Sequence, residues 1–211
     1  MWKGLKPEWR EAFALAWEAF CQGNVPVGCV IVNESGEIIA KGRNAIFEPS
    51  FSSALAGTDL AHAEMVALSQ LQRTEHRGVT GYTLYTTLEP CPMCFGASVM
   101  AGIRRIKYAG RDGIAGSAVL SNATPYLRTK RMQVELADPE LEVFQIALNT
   151  AFELGRQHPR QAELLDLLRA DCPRGVELGM KLFEQGYFAQ AVREGYTVEK
   201  VFEDVMARLV A

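Results

Sequence analysis

The run TLEPCPMCFGA, residues 87–97, sets two cysteines three residues apart, with a proline on each side of the first. Three-residue spacing on a helix puts both thiols on one face, so Cys91 and Cys94 can reach a single ion. Pro90 and Pro92 suit the start of a helix, where unpaired N–H groups and the positive dipole end favour thiolate over thiol. A redox pair uses the same spacing and the same dipole, and a plain helix start needs neither. The run alone therefore admits a metal site, a redox pair or no chemistry at all.

AHAEM, residues 61–65, adds an imidazole and a carboxylate. By itself, a histidine on an alanine-rich helix is more often a packed or surface residue than a ligand. Beside Cys91 and Cys94, however, His62 completes one imidazole and two thiolates, the three-protein-ligand set of a catalytic zinc that leaves the fourth position for water. Two thiolates neutralise Zn2+, so that water is only moderately acidified and needs a base. Glu64 is the carboxylate placed to take its proton and return it to a substrate. Residues two apart on a regular helix point nearly opposite ways, so His62 and Glu64 can flank one cavity only at a helix end.

The elements that must hold these groups alternate along the chain. Pro7 starts a helix on which Trp9, Phe13, Ala16, Trp17 and Phe20 recur at helical spacing until Gly23. VPVGCVIVN and IIAKGRN read as strands joined by the turn ESGE. Residues 45–58 form a long loop before a helix expected from about Asp59 to Arg73. GYTLYTTL is the next strand, PCPMCFGASVMAG the next helix, RRIKYAG a fourth strand and MQVEL a fifth, with GRDGIAGSAVLSNATPY loop-like between the last two. Asp138 and Pro139 open a long helix with Leu141, Phe144, Leu148, Ala151 and Phe152 on one face. This alternation predicts an α/β sandwich around a central sheet over residues 1–156. Residues 157–211 contain no strand signal and read as a helical extension. Its last helix carries Val198, Val201, Phe202, Val205 and Leu209 on a stripe that needs a partner, either the main domain or a second subunit.

Composition narrows the class. Apolar residues make up 48% and charged residues 22%, the balance of a soluble globular protein. No apolar run is long enough to cross a bilayer. The first twenty residues carry Glu8, Glu11 and Glu18, so they read as a mature amphipathic helix in a cytoplasmic protein. Five cysteines, an odd number, argue against a disulfide framework. Cys21 and Cys29 read as small buried residues and Cys172 as a free thiol. A net charge of −3 weighs against nucleic acid, although Arg104, Arg105, Lys107, Arg128, Lys130 and Arg131 could form a local basic patch.

AHAE followed by TLEPCPMC resembles the cytidine deaminase-like superfamily, whose zinc signature is H-x-E…P-C-x-x-C. NVPVGCVIV and GEIIAKGRN extend the resemblance to the hairpin, and it covers roughly residues 5–156. By pattern it is nearest to the branch of guanine, cytosine and tRNA adenosine deaminases. The resemblance implies a three-layer α/β/α sandwich with a mixed five-stranded central sheet, one Zn2+ per subunit and a homodimer. It assigns zinc to His62, Cys91 and Cys94 and proton transfer to Glu64. It also places the Ala63 N–H, the Asn44 side chain and Asp112 in contact with substrate, with Val27 and Leu88 as apolar walls. Asp112, in GRD, matches an acidic position of the tRNA-acting members.

The leading expectation is a hydrolytic deaminase of a free nucleobase, nucleoside or related amino-heterocycle. A tRNA-specific adenosine deaminase is the alternative. GRD and the basic LRTKR stretch favour tRNA, whereas the acidic total and the apolar C-terminal helix favour a small molecule. A structural zinc module without catalysis is the third reading; structural sites normally close the fourth position with Cys or His.

Overall fold

The computed structural model describes residues 1–48 and 54–210. Helix α1 (Pro7–Cys21) leads into the hairpin β1 (Gly28–Val32) and β2 (Ile38–Arg43), whose turn is tied by Asn33 Oδ1 accepting the Ser35 and Glu37 N–H groups. Then follow α2 (Ala63–Leu68), β3 (Thr83–Leu88), α3 (Pro92–Ala101), β4 (Arg105–Gly110), α4 (Pro125–Lys130), β5 (Gln133–Leu136) and α5 (Pro139–Arg156). The C-terminal part forms α6 (Gln161–Asp171), α7 (Pro173–Glu184), α8 (Tyr187–Arg193) and α9 (Val198–Val210).

The sheet order is β2-β1-β3-β4-β5. β1 runs antiparallel to β2 and β3, while β3, β4 and β5 are parallel, so the sheet is mixed and five-stranded. Two glycines show how the helices reach it. A Cβ on Gly28 would sit 2.0 Å from Ala12 O, and one on Gly42 would sit 2.1 Å from Ala63 O. Gly42 pairs with Cys29, so it shares that residue's face, and the neighbouring Gly28 lies on the other. Thus α1 packs on one face of the hairpin and α2 on the opposite one. Phe13 of α1 meets Phe144 of α5 edge-on at 5.3 Å, and α3 packs beside α2, which completes three layers.

Three expectations change. Helix α2 is six residues long rather than spanning Asp59 to Arg73. Residues 54–61 are instead drawn into turns, with the Ala45 N–H bonded to Ala61 O and the Gly57 N–H to Ala45 O. The expected loop after β4 contains α4, capped by Thr124 Oγ1 accepting the Leu127 N–H ahead of Pro125. Cys21 is exposed, whereas Cys29 is fully buried. The middle of the 45–58 loop, residues 49–53, lies outside the described residues.

The α9 stripe faces inward. Val201, Phe202 and Val205 are buried, and the Phe202 ring lies 4.8 Å from Phe144, 5.4 Å from Trp2 and 6.4 Å from Phe13. Its partner is the main domain, so the stripe gives no argument for a second subunit. Leu168, Val176, Leu182 and Phe202 belong to the same apolar core as Phe13 and Ile106.

Candidate metal centre and adjoining pocket

His62 is the N-cap of α2, with extended backbone at φ −70° and ψ 150°, and Ala63 is the first helical residue. This placement removes the geometrical difficulty of the H-x-E pair. The imidazole leaves the chain before the helix begins and Glu64 leaves it inside the first turn, so both flank one cavity. Cys91 is likewise the N-cap of α3, followed by Pro92 at the first helical position, and Cys94 lies one turn on. Strand β3 ends at Leu88, so the two prolines stop the strand and start the helix beneath the thiols.

His62 Nδ1 lies 3.6 Å from Cys91 Sγ and 3.5 Å from Cys94 Sγ, and all three ligand atoms fall within 4.8 Å of one another. A tetrahedral ion with metal–sulfur and metal–nitrogen distances of about 2.3 and 2.0 Å needs its N and S ligands about 3.5 Å apart. The three side chains fit zinc. Among the described residues no fourth His, Cys, Asp or Glu joins the group, which leaves a coordination position open toward the pocket. In the metal-free polypeptide, a hydrogen bond from the Cys94 thiol, assisted by His62, holds Cys91 down to about 4. The same pairing, together with burial, pushes Cys94 up. The two sulfurs share a proton that a divalent cation displaces.

Glu64 is 3% exposed, and its Oε1 accepts the Thr86 hydroxyl of β3 at 2.8 Å. Burial lifts its carboxyl above the ordinary range, against the pull of its own backbone N–H and Thr86. A carboxyl raised in this way is a stronger base than an exposed one and so is better suited to take up a proton.

A cavity of about 120 Å³ opens beside these groups, lined by Val27, Asn44, His62, Ala63, Glu64, Leu88, Cys91 and Asp112, with Val25, Ile46, Glu89 and Ala115. Every residue expected to hold zinc, move protons or touch substrate therefore lines this cavity except Cys94, which is buried beside His62. Asn44 Oδ1 accepts the Ile46 N–H at 3.2 Å, which leaves its amide N–H groups as donors for a ligand. Burial raises the Asp112 carboxyl, whose Oδ1 accepts the Ile114 N–H. An engineered cavity of about 150 Å³ accommodates benzene, so this opening is on the scale of a small flat heterocycle and not of a larger ligand.

Sequence reasoning missed Glu89. Its Oε1 accepts the Ala118 N–H at 2.8 Å and its Oε2 the Asp112 N–H at 3.4 Å, fastening the loop after β4 over the pocket. A carboxylate at the strand–helix joint of TLEPC was the available signal.

Residues 7–110 match the cytidine and deoxycytidylate deaminase zinc-binding region. The tRNA(Ile)-lysidine synthase of Deinococcus deserti is 41% identical over 111 residues, 51% of this chain and 19% of that protein. The chain thus spans about a fifth of the length of that relative. The tRNA-specific adenosine deaminase of Streptococcus pyogenes serotype M3 is 31% identical over 159 residues, 74% of this chain and 88% of the relative. A structure solved in work on A-to-I editing by tRNA:A34 deaminases at the wobble position is 30% identical. It covers 62% of this chain and 96% of its own, with a TM-score of 0.50. Ligand set, fold and relatives agree that the chain belongs to the zinc-binding cytidine and deoxycytidylate deaminase family, hydrolases of C–N bonds.

Proposed function

We propose that the chain hydrolyses the exocyclic amine of an adenine presented by a tRNA, with the base alone entering the pocket. The observation that carries the deaminase reading is the small cavity with His62, Cys91 and Glu64 on its wall and Asn44 and the Ala63 N–H beside them. Zinc, when bound, supplies a nucleophile from water at neutral pH. Glu64 takes a proton from that water and delivers it to the ring nitrogen next to the carbon under attack. The water oxygen bonds to that carbon, its remaining proton passes to the exocyclic amine, and the C–N bond breaks, so that ammonia leaves and a carbonyl stays on the ring. Asn44 and Ala63 orient the ring, while Val27 and Leu88 exclude water from its faces.

The RNA part of the reading is supported by the relatives and by Asp112 at the pocket. A cavity this small suits a base swung out of a strand, with its ribose left outside. It suits a free base equally, and that second reading has its own support in the net charge of −3 and in α9, which folds inward instead of offering a basic tail. A cytoplasmic homodimer is a further part of the proposal and rests on the family resemblance.

Ammonia release across an adenosine-containing anticodon stem-loop, free nucleobases, nucleosides and pterins separates the two. Turnover of the stem-loop, with free adenine and adenosine slower by orders of magnitude, is the expected result. Faster turnover of any free base than of the stem-loop would overturn the RNA reading.

A further inference from the structure

We propose that the C-terminal extension supports the active site from outside it: the end of α6 holds the loop that carries Asp112, and so sets how tightly the pocket binds its substrate. This rests on the reading of the pocket as a deaminase site and adds to it a role for residues 157–211.

The loop leaves β4 at Gly110 and returns to the pocket through Asp112 and Ala115. On its inner side Glu89 accepts the Asp112 and Ala118 N–H groups. The loop is braced across itself by the Gly116 N–H bonded to Asp112 O at 2.7 Å. Its outer side is fastened by Arg111. That guanidinium makes a two-pronged bond to Glu142 of α5, Nε to Oε1 at 2.7 Å and Nη2 to Oε2 at 2.9 Å, and Nη2 also donates to Asp171 O at 2.7 Å. Glu142 is buried, so the two-pronged bond from Arg111 fills its hydrogen-bonding capacity away from solvent. Asp171 is the last residue of α6, where helix carbonyls lack partners and the dipole is negative. A cation donating to that carbonyl completes the helix end.

Gly113 supplies the second contact. A Cβ there would sit 2.4 Å from Leu167 O and 3.2 Å from Asp171 Oδ2, so the loop backbone lies directly on the last turn of α6. The demand is for space, not for an unusual backbone angle. Arg111 and Gly113 flank Asp112 in the chain, and both are fixed to α6. The position of the Asp112 carboxyl therefore follows the position of α6.

The test uses the full chain with Gly113→Ala, which wedges the loop off α6, and Arg111→Gln, which removes the guanidinium, alongside the conservative Arg111→Lys. Two readouts are taken: amide hydrogen exchange over residues 112–118, and steady-state kinetics on whichever substrate the panel identifies. In Gly113→Ala and Arg111→Gln, exchange in the loop should quicken about tenfold. KM should rise about tenfold with kcat nearly unchanged and zinc content intact, since a shifted carboxyl weakens binding without touching Glu64. Arg111→Lys should recover part of both changes. Unchanged loop exchange in both disruptive variants would overturn the clamp, as would a fall in kcat at constant KM. If no substrate is turned over by the wild type, the deaminase reading fails on its own, and the exchange measurement still decides the clamp.

Discussion

Glu64 lies next to the fully buried Thr86 hydroxyl and two residues from the imidazole ligand, yet it is not part of the ligand group itself. The proton-handling role proposed for it is one that Gln would lose while keeping its shape and its bond from Thr86. The expected outcome for Glu64→Gln is a loss of deamination of about 10²–10⁴-fold with zinc content unchanged by elemental analysis. A variant that keeps both zinc and full activity would overturn the role proposed for Glu64. The residue types were legible in the sequence because a ligand set is a statement about donors, and His62, Cys91 and Cys94 supply a complete one. Glu89 was not legible, because its work is to accept two N–H groups from a loop more than twenty residues away.

Among the elements, two helix starts do the positioning, and one glycine sets the height of the first. Gly42 of β2 lets the first turn of α2 lie against the sheet, with Ala63 O and Ala67 N only 2.1 and 2.6 Å from where a Cβ would be. Gly42→Ala forces α2 outward and carries His62 and Glu64 with it. Overpacking of this kind costs about 1–3 kcal/mol, so chemical denaturation should show a loss of that size, together with weakened zinc retention against a chelator. The strand order of hydrophobic runs made the sheet and the alternation of layers readable. The length of α2 was not, because its alanine-rich surroundings have helical propensity while the bonds of Ala45 to Ala61 and Gly57 hold the preceding residues in turns. Tertiary hydrogen bonding overrode local preference.

At the scale of the whole molecule, the C-terminal helices share the apolar core of the α/β sandwich. Phe202 is 1% exposed and stands among Trp2, Phe13 and Phe144, so it joins both ends of the chain to α5. Phe202→Ala should cost about 3–5 kcal/mol, read as a lower midpoint in urea. Sedimentation should report the same oligomeric state as the wild type, since the stripe is covered within one chain. The stripe itself was visible in the sequence as a helical period, but its partner was not. Periodicity reports that a face is apolar, and only contacts across nearly two hundred residues decide what it meets.

The two N-cap positions have a further consequence. His62 and Cys91 each begin a helix without donating or accepting a side-chain cap bond, because their side chains are turned to each other across the metal centre. Ser, Asp or Asn there would cap α2 and α3 better, each by about 0.5–2 kcal/mol. Substituting such a residue at either position would therefore firm a helix start and dismantle the zinc site, so ligand set and helix cap compete for the same two positions.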